Sequence, residues 1–75
     1  MEKINENTTF KLGQKIRIER LKQHLSQEKL AELSNLNRNF IGMIERGETS
    51  VTVKSLESIA NALKTDIKDL FIFCI

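Results

Sequence analysis

Proline, tryptophan and tyrosine are absent from this chain, cysteine and histidine occur once each, and glycine occurs three times. Each scarcity removes an option. Without proline, and with Gly13, Gly42 and Gly47 as the sole glycines, little interrupts a helix. A single cysteine, Cys74, supplies no disulfide framework, and no His/Cys set has the spacing of a structural zinc site. No apolar run approaches the roughly 20 residues that a bilayer span requires. Met1 to Asn7 is polar and lacks the apolar segment of a signal peptide, so a cytoplasmic location with a reduced thiol is expected. Nor are there paired carboxylates in a pocket-like arrangement, a nucleophile with a base, or a phosphate-cradling glycine loop. An enzyme is therefore not expected, and no cofactor, metal or small-molecule ligand is implied.

What is present is globular in composition. Hydrophobic residues make up 40 % and charged residues 29 % of 75 positions. That length fits one domain, and a domain this small buries only about 60–65 % of its unfolded surface. Its stability must come from well-packed helices and from oligomerisation. The net charge is +2, too small to name a partner by itself. The distribution of charge has to decide.

Residues 1–7 carry no apolar periodicity and read as a frayed arm, with residues 8–75 as the domain. Thr8 or Thr9 can cap a first helix running to about Gln23, with Leu12, Ile16 and Leu21 inward and Arg20 one turn beyond Ile16. Ser26 caps a short second helix carrying Leu30, Ala31 and Leu33, which ends near Ser34. Asn35 follows, a residue that tolerates the left-handed conformation of a tight turn. Leu36 returns to the core. Asn37 caps a third helix, Arg38 to Arg46, with Ile41 and Ile44 inward, and Gly47 stops it. Residues 48–52 are polar and loop-like. Thr52 caps a fourth helix with an apolar stripe of Val53, Leu56, Ile59, Ala60 and Leu63. Thr65 or Asp66 opens a last helix with Ile67, Leu70 and Phe71 inward. No strand alternation and no internal repeat is present. The expected fold is all-α, five short helices in a bundle.

Two short helices joined by a sharp turn, then a polar loop, are the organisation of a helix-turn-helix. Ala31 supplies the small residue at the crossing, and Leu30, Leu36, Ile41 and Ile44 supply the anchors. The outward face of the third helix then carries Arg38, Asn39, Phe40, Met43 and Arg46. Arg can donate two bonds to guanine, Asn can pair with adenine, and Phe40 and Met43 can meet thymine methyl groups. The alternative for Phe40 and Met43 is packing within the bundle. Ser26 and Gln27 stand at a helix N-terminus, where free N–H groups favour a phosphate. Asn37, Arg46, Thr49, Ser50, Thr52 and Lys54 flank the reading helix as further phosphate candidates, with capping chemistry as the other use of Ser26 and Thr52. Glu48 is a charge of the wrong sign there.

The stretch Ser26-Gln-Glu-Lys-Leu-Ala-Glu-Leu, followed by Leu36-Asn-Arg-Asn-Phe-Ile-Gly-Met-Ile-Glu-Arg-Gly47, resembles the phage-repressor-like helix-turn-helix family of Cro and lambda-repressor type. The resemblance covers about residues 10–71. Within that family the chain is similar to controller proteins of restriction–modification systems, which share the pattern matched by Leu36, Arg38, Phe40 and Ile41. The resemblance implies a lambda-repressor-like domain, a phosphate contact at Gln27, base reading at Arg38, Asn39 and Met43, and an ion pair between Arg20 and Glu45. Asn35 stands where the family's turn has glycine, and Ser34 where a small or apolar residue packs.

The end of the chain, Leu70 to Ile75, is unusually apolar. Ile67, Leu70, Phe71, Phe73 and Ile75 are the candidates for a homodimer surface, which agrees with the family's use of its C-terminal helices. The alternative is that Phe73 folds back over its own core. The expected function is a transcriptional regulator that binds a symmetric operator in double-stranded DNA as a homodimer, with RNA polymerase as a candidate further partner. The rival reading is an antitoxin-like module that binds a toxin as well as DNA.

Overall fold

The computed structural model describes residues 4–72, with side chains from residue 8 onward. The expectations for Phe73, Cys74 and Ile75 lie outside the described residues. Five helices follow in order: α1, Ile4–Lys22; α2, Gln27–Ser34; α3, Arg38–Glu45; α4, Val53–Ala62; and α5, Ile67–Leu70. There are no strands among the described residues. This is the five-helix, lambda-repressor-like arrangement. α3 packs against α1 and α2, α2 also packs on α4, and α5 closes against α4 and α1.

The core is continuous. Leu12 and Ile16 of α1, Leu30 and Ala31 of α2, Ile41 and Ile44 of α3, Leu56, Ile59 and Ala60 of α4, Leu63, and Leu70 of α5 are all buried together. Leu25 and Leu36, in the connections on either side of α2, pack against this cluster. Each helix therefore contributes through one stripe, which is the arrangement the 3.6-residue period requires.

Helix ends are set by local chemistry. The Ser26 hydroxyl accepts from the Lys29 amide, the Asn37 side chain from the Asn39 amide, and the Thr52 hydroxyl from the Ser55 amide. At the other ends, α1 to α4 each stop on a residue with positive φ: His24 (59°), Asn35 (58°), Gly47 (72°) and Lys64 (59°). In each case the next amide reaches back five residues: Leu25 to the Arg20 carbonyl, Leu36 to Ala31, Glu48 to Met43 and Thr65 to Ala60, all at 2.9–3.1 Å. This is the Schellman pattern, which satisfies carbonyls that the helix leaves open. Asn35 fills its place in the turn without glycine. Ser34, buried beside it, donates its hydroxyl to the Leu30 carbonyl at 2.7 Å and so needs no apolar replacement.

The structure corrects several expectations. α1 begins at Ile4, so Thr8 and Thr9 lie inside it and do not cap it. No glycine or proline stands between Ile4 and Leu12, and a helix once nucleated extends through such a segment. Leu21 is exposed, not inward, because five residues from Ile16 turn it about 140° round the helix. Val53 is 75 % exposed at the first turn of α4, and Val51 from the preceding loop packs on the core instead. Phe71 follows the end of α5 and is exposed. Leu70 is fully buried in its own core, so it does not contribute to an intermolecular surface, and Ile67 is half-buried against the same core.

Gly13 is a contact that periodicity does not reveal. A Cβ at this position would collide with the backbone carbonyl of Ile44 and lie 3.0 Å from that of Glu45. α1 therefore meets the end of α3 backbone to backbone. Gln23 adds a second tie, its amide donating to the Leu63 carbonyl at 2.8 Å.

Two stability measurements follow from this geometry. Gly13→Ala should destabilise by about 1–3 kcal/mol, since a backbone carbonyl cannot move aside as a side chain can. Lys64→Gly and His24→Gly should each stabilise by about 0.5–1 kcal/mol, because glycine takes the left-handed conformation without the Cβ penalty. Thermal melting of the single variants checks both; a Gly13→Ala protein that melts with the parent would contradict the close approach.

Candidate nucleic-acid interface

A buried ion pair ties α1 to the end of α3. The Arg20 Nε donates to Glu45 Oε2 at 2.7 Å and its Nη2 to Glu45 Oε1 at 3.0 Å, a two-pronged match of guanidinium to carboxylate. Both side chains are almost wholly out of solvent. Arg20 Nη1 donates to the Leu25 carbonyl at 2.7 Å, and Gln27 Nε2 donates to Glu45 Oε1 at 3.0 Å. Glu45 thus collects α1 and α2 at the end of α3. Among the described residues no buried side-chain polar atom lacks a hydrogen-bond partner. A pair left without these extra bonds would lose more by desolvation than it gains by attraction.

With its inner face held, α3 turns a separate set outward. Arg38, Asn39, Met43 and Arg46 are exposed. Together with Gln27, Gly42 and Glu48 they line one cleft. Ser26, Asn37, Ser50, Thr52 and Lys54 are also exposed, and Gln27 and Thr49 partly so. Phe40 is different. It is half-buried and packs against the core, as the packing alternative has it.

Several of these groups already have partners. The Gln27 amide is engaged with Glu45, which fixes the side chain and leaves one N–H of Nε2 and the Oε1 for a ligand. The Thr52 hydroxyl accepts from the Ser55 amide and donates to Ser55 Oγ, so its proton is committed. Thr49 Oγ1 donates to the Ser50 carbonyl at 3.3 Å. Arg46 Nε donates to Glu48 Oε2 at 3.0 Å. That bond holds the Glu48 carboxyl below its ordinary range and raises the guanidinium of Arg46 above its own.

A model of the Helix-turn-helix family matches residues 16–70. The chain belongs to the helix-turn-helix family. Control protein C.BamHI of Bacillus amyloliquefaciens is 42 % identical over 71 residues, covering 93 % of this chain and 88 % of the relative. Control protein C.SmaI of Serratia marcescens is 44 % identical over 59 residues, covering 79 % and 70 %. The crystal structure of the restriction-modification controller protein C.AhdI from Aeromonas hydrophila superposes with a TM-score of 0.82 at 39 % identity, covering 83 % of this chain and 94 % of that one. The chain is a DNA-binding helix-turn-helix transcription regulator, and the family is not one of enzymes.

Sequence reasoning missed two parts of this surface. The side chains of Arg46 and Gln27 border the open side of Gly42, a contact that the spacing of apolar residues does not signal. Glu48 reads as a charge of the wrong sign, and its pairing with Arg46 is what the sequence reading misses. The signal was there as an acidic residue two places after an arginine at a helix end.

Arg20→Ala should strand Glu45 as a buried charge and cost about 3–5 kcal/mol, with DNA binding falling in parallel as α3 loses its angle. The double replacement Arg20→Met with Glu45→Leu should recover much of the stability, since it leaves no charge unpaired. Melting curves of the three proteins test this; equal melting of Arg20→Ala and the parent would refute the role of the pair.

Proposed function

We propose that the chain is a controller-type regulator that binds a two-fold symmetric operator as a homodimer, each protomer laying α3 in the major groove. The observation that carries this reading is the division of α3 into two faces. Ile41, Ile44 and Glu45 are sealed inside, while Arg38, Asn39 and Met43 are exposed beside Gln27. A helix whose inner face is fixed presents its outer side chains at a constant angle, and base reading needs that.

In this arrangement Arg38, Asn39 and Met43 meet base edges, with the exposed edge of Phe40 beside them. Ser26 and Gln27 bring the N-terminus of α2 to a phosphate, where its open amides and positive dipole end add to the side chains. Asn37, Thr49, Ser50, Thr52 and Lys54 flank the helix as backbone contacts. Arg46 stands between the two sets.

The dimer is supported by apolar residues that the protomer does not bury. Phe71 and Ile72 are exposed at the end of the described chain, and Val53 and Phe71 border the same groove as Leu12, Val51 and Leu56. An exposed apolar cluster of this kind favours a partner, and a symmetric operator favours a second copy. Half-site centres would then lie about 34–36 Å apart, one turn of DNA. The likeness to control proteins extends the proposal to a restriction–modification operon, with RNA polymerase blocked or recruited at the promoter and the protein acting in the bacterial cytoplasm.

Duplexes recovered from a randomised pool should be bound with an affinity that falls steeply as salt rises, since each neutralised phosphate releases counterions. Binding unaffected by a several-fold rise in salt would contradict the interface. Light scattering on the eluted protein should give a dimer, and Phe71→Glu should give a monomer with weaker operator binding. A parent protein that runs as a stable monomer would overturn the homodimer and favour a different protein as the occupant of that face.

A further inference from the structure

The bond between Arg46 and Glu48 lies at the edge of the reading face, and its geometry is more restrictive than that of an ordinary surface pair. A Cβ placed on Gly42 would be 3.1 Å from Nη1 of Arg46, 3.8 Å from its Cζ, and 3.8 Å from Nε2 of Gln27. The Arg46 side chain is therefore folded back one turn along α3 and rests over Gly42. Glu48 holds it there through Nε. The backbone of Glu48 is itself fixed, since its amide bonds to the Met43 carbonyl at 2.9 Å in the cap of α3. Both side chains are otherwise more than half exposed, so the restraint serves no burial.

Held by Nε, the guanidinium keeps its two terminal nitrogens as donors. A guanine edge offers O6 and N7 to such a pair in the major groove. A phosphate would fit this place poorly, because the carboxylate of Glu48 stands beside it and repels a second anion. We propose that Glu48 is a positioning residue that holds Arg46 over Gly42 as a reader of guanine. This rests on the placement of α3 in the major groove. Gly42 provides the slot, Glu48 the restraint, and Arg46 the contact. A flexible arginine would find phosphates as readily as bases, whereas a restrained one reads a single position.

The test is selection from a randomised duplex pool with the parent protein, Arg46→Ala, Glu48→Gln and Gly42→Ala, together with Arg38→Ala and Asn39→Ala. Arg46→Ala should lose the preference for one G·C pair in each half-site. Glu48→Gln should relax the same pair, lowering its discrimination about tenfold or more. Its affinity for random duplex should rise, because one negative charge has left the interface. Gly42→Ala should relax that pair as well, by displacing the guanidinium. Thermal melting of Glu48→Gln should match the parent, which separates positioning from a structural role.

The proposal is overturned if Glu48→Gln keeps the parent's preference at every position. It also fails if affinities for selected and random duplexes rise by the same factor, which would mark a pure charge effect. If Arg46→Ala relaxes no position while Arg38→Ala or Asn39→Ala does, the helix is in the groove and Arg46 is not a reader. If none of the α3 substitutions changes the preferences, the placement of α3 itself is wrong.

Discussion

The carboxylate of Glu45 is the point on which the DNA-binding half of the molecule depends. It receives Arg20 from α1 and Gln27 from α2, and it stands at the end of α3. Three helices that could each slide on an apolar core are given one relative position by directional bonds. Hydrophobic contact alone is non-directional and would hold these helices together without specifying their angle. The close approach of Gly13 to the Ile44 and Glu45 carbonyls reinforces the same junction by shape.

The core and the junction carry different parts of the work. Leu12, Ile16, Leu30, Ile41, Ile59 and Leu70 remove apolar surface from water and make a folded state possible for so short a chain. Arg20 and Glu45 add little net stability against a well-packed apolar pair, because their desolvation offsets most of their attraction. What they contribute is orientation. The helix-turn-helix is thus built from an apolar interior that many sequences could fill and a polar contact that few could replace.

Much of this was legible before the structure. Ser26, Asn37 and Thr52 announced helix starts through their capping chemistry, and Asn35 and Gly47 announced helix ends through left-handed backbone. The partners Arg20 and Glu45 came from the family resemblance, which joins residues that periodicity leaves 25 positions apart. The misreadings share a cause. Leu21, Val53 and Phe71 sit in apolar patterns, yet all three are exposed, Val53 at the first turn of its helix and Phe71 one residue past the end of α5. A stripe records which side of a helix is apolar; it does not record where the adjoining helices stop. Backbone contact at Gly13 leaves no mark in periodicity either, although a glycine inside a helical pattern is itself a signal of close packing.

Glu45 also precedes Arg46 directly, so the deepest charge of the junction and an exposed arginine at the end of α3 are chain neighbours. Rolling α3 about its axis to suit an imperfect site would bring that charge out of its pocket. With α3 in the groove as proposed, the protein would be the stiff member of the complex and the duplex the compliant one. Groove width and bendability must supply whatever adjustment a site requires, and these depend on sequence at base pairs the protein never touches. A rigid reader of this kind would select its operator partly by how readily the DNA deforms.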